Sequence, residues 1–241
     1  MALKCFFEGK KEKHYLIEIE ERQIPLVVRR NPRARRVTLR INMLDDGVIV
    51  TIPYHVSNTD AIRFAHKKAS WICGQLDAIG ERILFEDGVK IPFQGVQFLV
   101  RHRGDVKGSV WKGNGEINVA GGVEDLSRRL HDWLKKQARL LIVSLAYSKA
   151  AQINRKPTRI TLRDTRTRWG SCSFEGRLSF SWRLIMAPPE ILDYVVAHEV
   201  SHLAHMNHSS IFWKTVDQLT KNAWDCREWL HANGNSLHRI G

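Results

Sequence analysis

The spacing of apolar positions divides the chain into a first part with period two and a later part with period near 3.6. Arg36-Val-Thr-Leu-Arg-Ile-Asn42 alternates cleanly, with Val37, Leu39 and Ile41 on one face. The stretches 14–20, 24–30 and 48–53 are also β-rich, and Asp45-Asp46-Gly47 is a hairpin turn ahead of the last of them. Ile62, Ala65, Ala69, Ile72, Leu76 and Ile79 then share one side of a helix that opens at Ser57-Asn-Thr-Asp60 and closes at Gly80. More strands are expected from Ile83 to Val119, punctuated by Asp87-Gly88, Gly95 and Asn114-Gly115.

Beyond Ala120-Gly-Gly-Val123 the pattern turns helical. Leu126, Leu130, Leu134, Ala138, Ile142 and Ala146 make the apolar stripe of a long amphipathic helix ending near Asn154. Lys156–Arg163 and Arg177–Ser181 read as the two arms of a β-hairpin, with Glu175-Gly176 in its turn. Helices follow over 190–202, from about 209 to 222, and over 225–231. No internal repeat is evident. The expected class is α+β: a β-rich N-terminal half with one helix (1–122), then a helical metal-site domain with a small β-hairpin (123–241).

One helix carries chemistry. Tyr194-Val-Val-Ala-His198-Glu199-Val-Ser-His202 contains H-E-x-x-H. Residues four apart lie on one helix face, so His198 and His202 can present both imidazoles to one small cation. Glu199 lies about 100° round the helix. That places it beside the cation, as a general base for metal-bound water requires. Ala187-Pro-Pro-Glu190 is a strong start signal for the helix.

A catalytic zinc takes three protein ligands, so one is missing. His205 and His208 are the nearby candidates. A helix continuing through His205 would string three histidines along one axis, which cannot surround a tetrahedral ion. His208 can, if the helix stops after His202 and the chain folds back. Asn207, Ser209 and Ser210 are turn or capping residues ahead of the apolar Ile211-Phe-Trp213, as such a break requires. His208 is the preferred ligand and His205 the weaker one.

Composition narrows the setting. With 241 residues, 43% hydrophobic and 26% charged, the chain can bury a real core. No run approaches the roughly 18 apolar residues that span a bilayer, and the N-terminus lacks a signal-like apolar segment, so a cytoplasmic location is expected. The four cysteines (Cys5, Cys73, Cys172, Cys226) form no C-x-x-C pair, which excludes a zinc knuckle and a disulfide framework. A net charge of +13 attracts polyanions, and Arg29–Arg36 holds five arginines.

Arg168-Trp-Gly-Ser-Cys-Ser173, the stretch Asp193–His202, and Asn207-His-Ser-Ser-Ile-Phe-Trp213 together resemble the YgjP-like metallopeptidase family, relatives of the WLM and SprT-like zincin proteases. The likeness extends over most of the chain. It implies a zincin-like catalytic domain and one zinc ion held by His198, His202 and the histidine of Asn-His-Ser, His208. The reading that follows is zinc-dependent hydrolysis of a peptide or protein, with Glu199 as base. The oxyanion would be met by Arg168 or by backbone N–H groups of Trp169-Gly170-Ser171. Trp169 as a packed core residue, with Gly170 supplying a positive φ, is the structural alternative for this segment. Cys172 has no base assigned to it as a nucleophile. A second reading is a nucleotide phosphohydrolase, with Arg159, Arg163, Arg166 and Arg168 on the phosphates. A third is a nucleic-acid-binding module with a vestigial site.

Overall fold

The computed structural model describes residues 5–9, 12–42, 45–79, 81–165 and 168–241. Gly80, expected to end a helix, and Arg166, one of the proposed phosphate ligands, lie outside them, as does the side chain of Cys5. The fold is α+β, and the chain divides into two compact units, Met1–Glu81 and Arg82–Gly241.

The first unit contains β1 (Cys5–Gly9), β2 (Glu12–Ile19), β3 (Arg22–Arg30), β4 (Thr38–Asn42) and β5 (Gly47–Ile52) in one sheet, with order β1-β2-β3-β5-β4. The β3–β5 pair is parallel and the rest are antiparallel. Ile17, Ile24, Leu26, Val48 and Val50 form one core with Ala61, Ala65 and Ile72. The expected turn is present: Asp45 Oδ1 accepts from the Gly47 N–H at 3.1 Å. Where the apolar spacing predicts one helix, the structure has two, α1 (Asn58–Lys67) and α2 (Ala69–Ile79). Lys68 turns to φ −107°, ψ 19° and its N–H reaches back to the Ala65 carbonyl, closing the first helix. The i, i+4 spacing survives this break, so the sequence pattern alone could not reveal it. Of the five clustered arginines, Arg29 pairs with Glu12 at 2.6 Å and Arg30 donates to the Tyr54 carbonyl at 2.8 Å, so both are tied into the fold.

The second unit opens with β6 (Lys90–Phe93), β7 (Val96–Arg103), β8 (Val110–Gly113) and β9 (Glu116–Ala120), in the order β6-β7-β9-β8. Its β7–β9 pair is parallel and its two hairpins antiparallel. This repeats the arrangement β2-β3-β5-β4, and both sheets are followed by a helix. The repeat escapes sequence inspection because only the alternation of apolar positions is shared. The helix here is α3 (Leu126–Gln152), whose Leu126, Leu130, Leu134, Ala138, Ile142, Ala146 and Ala150 are buried. These side chains share one core with Ile91, Phe93, Val100, Ile117 and Val119. The expected boundary at 122/123 therefore falls inside the second unit: Gly121 and Gly122 turn the chain within a core and do not separate two.

A three-stranded sheet follows, made of β10 (Arg159–Arg163), β11 (Gly170–Cys172) and β12 (Arg177–Ser181), in the order β10-β12-β11. The strands of 156–163 and 177–181 do not form the expected hairpin. Those strands run parallel, and β12 forms its hairpin with β11 around Ser173–Gly176. Three residues of strand in Gly170–Cys172 are too few for a visible alternation. Then come α4 (Pro189–Ser201), α5 (Ser210–Leu219) and α6 (Ala223–Leu237). α4 is buried on nearly every side through Ile191, Leu192, Tyr194, Val195, Val196 and Ala197. Lys149, itself buried, pins it to α3 by an ion pair with Asp193 at 2.7 Å and donates to the Leu219 carbonyl at 2.6 Å. Among the described residues no helix is long and apolar enough to cross a membrane.

Candidate metal centre

α4 ends where the candidate chemistry begins. Pro188 and Pro189 start the helix, and His202 is its last, half-in residue at φ −66°, ψ −17°. The chain then turns through Leu203–His208, and Ser209 caps α5 by accepting from the Phe212 N–H at 3.4 Å. This reversal carries His208 back over α4. One ring nitrogen from each of His198, His202 and His208 lies within 4.8 Å of the others, and no further donor joins the group among the described residues. His205 takes part through its backbone: its carbonyl oxygen accepts from His202 Nδ1 at 3.0 Å. That bond holds the proton on Nδ1 and leaves Nε2 of His202 as a lone-pair donor.

The cluster fits a small divalent cation on its geometry. His198 Nε2 and His208 Nε2 face each other at 3.2 Å. Two nitrogens on a tetrahedral zinc with bonds of about 2.0–2.1 Å would be about 3.3 Å apart. The donor set is all imidazole, which suits zinc. Beneath the rings, Phe212 is fully buried and touches all three imidazoles, with centroids 5.0, 4.5 and 4.8 Å from His198, His202 and His208. Trp213 flanks His198 and His208 at 5.8 Å each. In the sequence Ile211-Phe-Trp213 reads as a new apolar segment after the break and as part of the family resemblance, with no contact to the histidines implied. Its spacing of ten and eleven residues from His202 carries no helical signal that would tie it to the motif.

Electrostatics set the protonation states. Burial, then the charges of His202 and His208, depress His198 to a pKa of about 4, and burial followed by His208 lowers His202. Both rings are therefore held in the neutral form that binds metal. Glu199 is buried, at 7% exposure, beside the cluster. Burial raises its carboxyl to about 7, and the Arg168 guanidinium pulls in the opposite direction. Arg168 is thus the arginine whose charge is felt at Glu199. Arg159 and Arg163 lie on β10, on the far side of β12 from β11.

The raised carboxyl has a consequence for stability. A folded-state pKa above the unfolded value favours the protonated form, so this contribution is complete below about 4.5 and is lost as pH rises through about 7. Stripped of metal by chelation, the protein is expected to melt lower than its Glu199→Gln variant at pH 8. The difference should be on the order of 3 kcal/mol and vanish at pH 4. His198 contributes equally to both proteins, since it is present in each. Melting curves at the two pH values test this; equal gaps at both would mean that the carboxyl is not destabilised by burial.

Gly170 is next to Glu199 for a reason the sequence reading missed. Its backbone is extended in β11 and not at positive φ. A Cβ there would collide with the Glu199 side chain, lying 2.6 Å from Oε1 and 2.8 Å from Cδ. Gly170→Ala is expected to displace Glu199, lowering hydrolytic activity at least tenfold and stability by about 1–3 kcal/mol. Ser171→Ala, on the opposite face of the strand, should change neither by much. Equal effects from the two substitutions in assays of turnover and melting would dismiss the contact. Trp169, by contrast, does pack: its ring stacks on His238 at 4.5 Å. Cys172 sits half-buried on the same edge, and burial with the Glu199 charge pushes its thiol to about 11, so it is held as a neutral thiol.

Comparison with known proteins places the chain in a class. A family model describing a YgjP-like metallopeptidase domain matches residues 35–233. The chain belongs to the YgjP-like metallopeptidase family. Among solved structures, the metallopeptidase zymogen abylysin of Pyrococcus abyssi is 18% identical, with a TM-score of 0.35, over 38% of this chain and 93% of that one. No curated protein matches the chain.

Proposed function

We propose that the protein hydrolyses peptide bonds in a peptide or protein substrate, using one zinc ion held by His198, His202 and His208. The observation that carries this reading is the outer edge of β11 beside Glu199, on which no strand of the described residues pairs. Ser181 N–H bonds the Trp169 carbonyl and Ser173 N–H bonds the Arg177 carbonyl, each at 2.8–2.9 Å. In an antiparallel ladder those pairs alternate with non-bonded ones, so the N–H and C=O groups of Gly170 and Cys172 point away from β12. An extended peptide can add to that edge as a further strand, its carbonyls brought to the three histidines. A nucleotide has no use for a strand edge.

The cation, when bound, lowers the pKa of water and polarises the scissile carbonyl. Glu199 then takes the proton of the attacking water and returns it to the leaving amine. Arg168 opposes the negative charge that develops, together with the outward N–H groups of Gly170 and Cys172. Phe212 and Trp213 keep the imidazoles in place.

Quenched-fluorescent peptides and nucleoside triphosphates offered in parallel to the zinc-loaded protein test the reading. Peptide cleavage that is abolished by chelator supports it. Phosphate release from a triphosphate, lost in Arg168→Ala, with no peptide cut, would replace it with the phosphohydrolase. Binding of single-stranded DNA that falls steeply with salt, without any hydrolysis, would favour the nucleic-acid module.

A further inference from the structure

Beside the metal centre the second unit carries a groove of about 480 Å³, lined by Trp169, Arg227, Glu228, Leu230 and His231. Trp169, which lines it, immediately precedes Gly170, the first residue of β11. Its wall is firm. The Trp169 indole stacks on His238 with 22° between the planes, and its back lies on Gly234, where even a Cβ would come within 3.1 Å of Nε1.

Arg227 stands on α6. Its guanidinium is 5.8 Å from the Trp213 ring and 5.7 Å from that of Trp224. Trp213 in turn abuts His198 and His208, so Arg227 is one ring removed from the metal centre. Many arginines of the chain are matched by carboxylates, as Arg22 is by Asp77, Arg103 by Glu116 and Arg128 by Asp125. Arg227 makes no ion pair among the described residues. Indoles occupy the face of a guanidinium and leave the coplanar N–H groups at its edge, the arrangement that receives a carboxylate through two parallel bonds. His231 is one helical turn on from Arg227 and points the same way, whereas Glu228 is about 100° round.

We propose that this groove is a subsite for a substrate carboxylate on the C-terminal side of the scissile bond, with Arg227 as the residue that selects it. The inference rests on the peptidase reading. A peptide added antiparallel to β11, the more stable pairing, runs from Cys172 towards Trp169. Residues following the cleaved bond therefore enter the groove. The carboxylate is either an acidic side chain or the free C-terminus of a short substrate.

Matched peptides carrying Glu or Gln one, two or three positions after the cleaved bond separate the first source. Peptides ending there in a carboxylate or an amide separate the second. Zinc-loaded wild type, Arg227→Gln and Arg227→Lys are compared by kcat/KM. Binding of the same peptides to Glu199→Gln gives a calorimetric readout that needs no turnover. Wild type should prefer the carboxylate member of one series by about tenfold, through KM, and bind it more tightly. Arg227→Gln should erase that preference and leave the uncharged peptides unaltered. Arg227→Lys should keep part of it, as a point charge without the fork. Cleavage with no carboxylate preference, or an equal loss on all peptides in Arg227→Gln, overturns the subsite while the peptidase stands. No cleavage of any peptide removes the peptidase reading and the subsite with it. Arg227 is exposed, so its variants should keep the wild-type circular dichroism.

Discussion

Replacing Glu199 by glutamine is expected to reduce hydrolysis about a thousandfold with the metal content unchanged. Positioned general bases contribute roughly 10²–10⁴ in rate, and Glu199 has what such a base requires. It is one residue from His198, so the helix turns it beside the ligand cluster and not into it. It is buried, and its carboxyl, raised to about 7 without a cation, would be drawn back to the ionised form by a divalent charge alongside. Glutamine keeps the volume and the contact with Gly170 but cannot accept the proton. The measurement is kcat on any cleaved peptide, with zinc determined on the same sample. Activity within tenfold of wild type at full metal content would assign the base elsewhere.

His208→Ala is expected to weaken zinc binding by at least a hundredfold, while the metal-free protein melts as the wild type does. Losing even a partner of a metal ligand costs 10–100-fold in affinity, so losing a ligand should cost no less. His208 is exposed in the link between α4 and α5, and removing its ring opens no cavity in the core. The rise in melting temperature on adding zinc should therefore shrink sharply, since that rise follows RT ln(1 + [L]/Kd). His205→Ala is the control: its backbone carbonyl, which orients His202, survives the substitution. Competition titration with a chromophoric chelator distinguishes the two. Zinc lost from His205→Ala and kept by His208→Ala would reverse the ligand assignment.

Both expectations concern residues that local sequence makes legible. The i, i+4 pair of histidines, the Pro-Pro-Glu start of α4 and the Asn-His-Ser-Ser break after His202 all act within a turn or two of the chain. They were enough to place His208 beside His198 and His202 before any tertiary contact was known. The stripe of α3 and the turn at Asp45–Gly47 are legible for the same reason.

Other features required the folded chain. β10 and β12 look like hairpin arms because both are short and β-rich, yet β12 takes β11 as its hairpin partner and β10 as its parallel neighbour. That choice makes β11, beside Glu199, the last strand of its sheet among the described residues. Gly170 reads as a turn glycine until the carboxylate packed against it is seen. Phe212 and Arg227 are ordinary helical positions until α5 and α6 bring them to the histidines. The two units, divided at Glu81/Arg82, each contain four strands in the same arrangement, and Ala120-Gly-Gly-Val, which resembles a linker, lies within the second unit, between a strand and a helix that share one core. By itself, then, the sequence determined the helix of His198 and His202, its termination and the α+β class, because caps and periodicity are interactions between near neighbours. The outer edge of β11, the support beneath the imidazoles and the groove of Arg227 were decided by tertiary structure alone. They depend on which strand edges and helix faces, distant along the chain, bury each other.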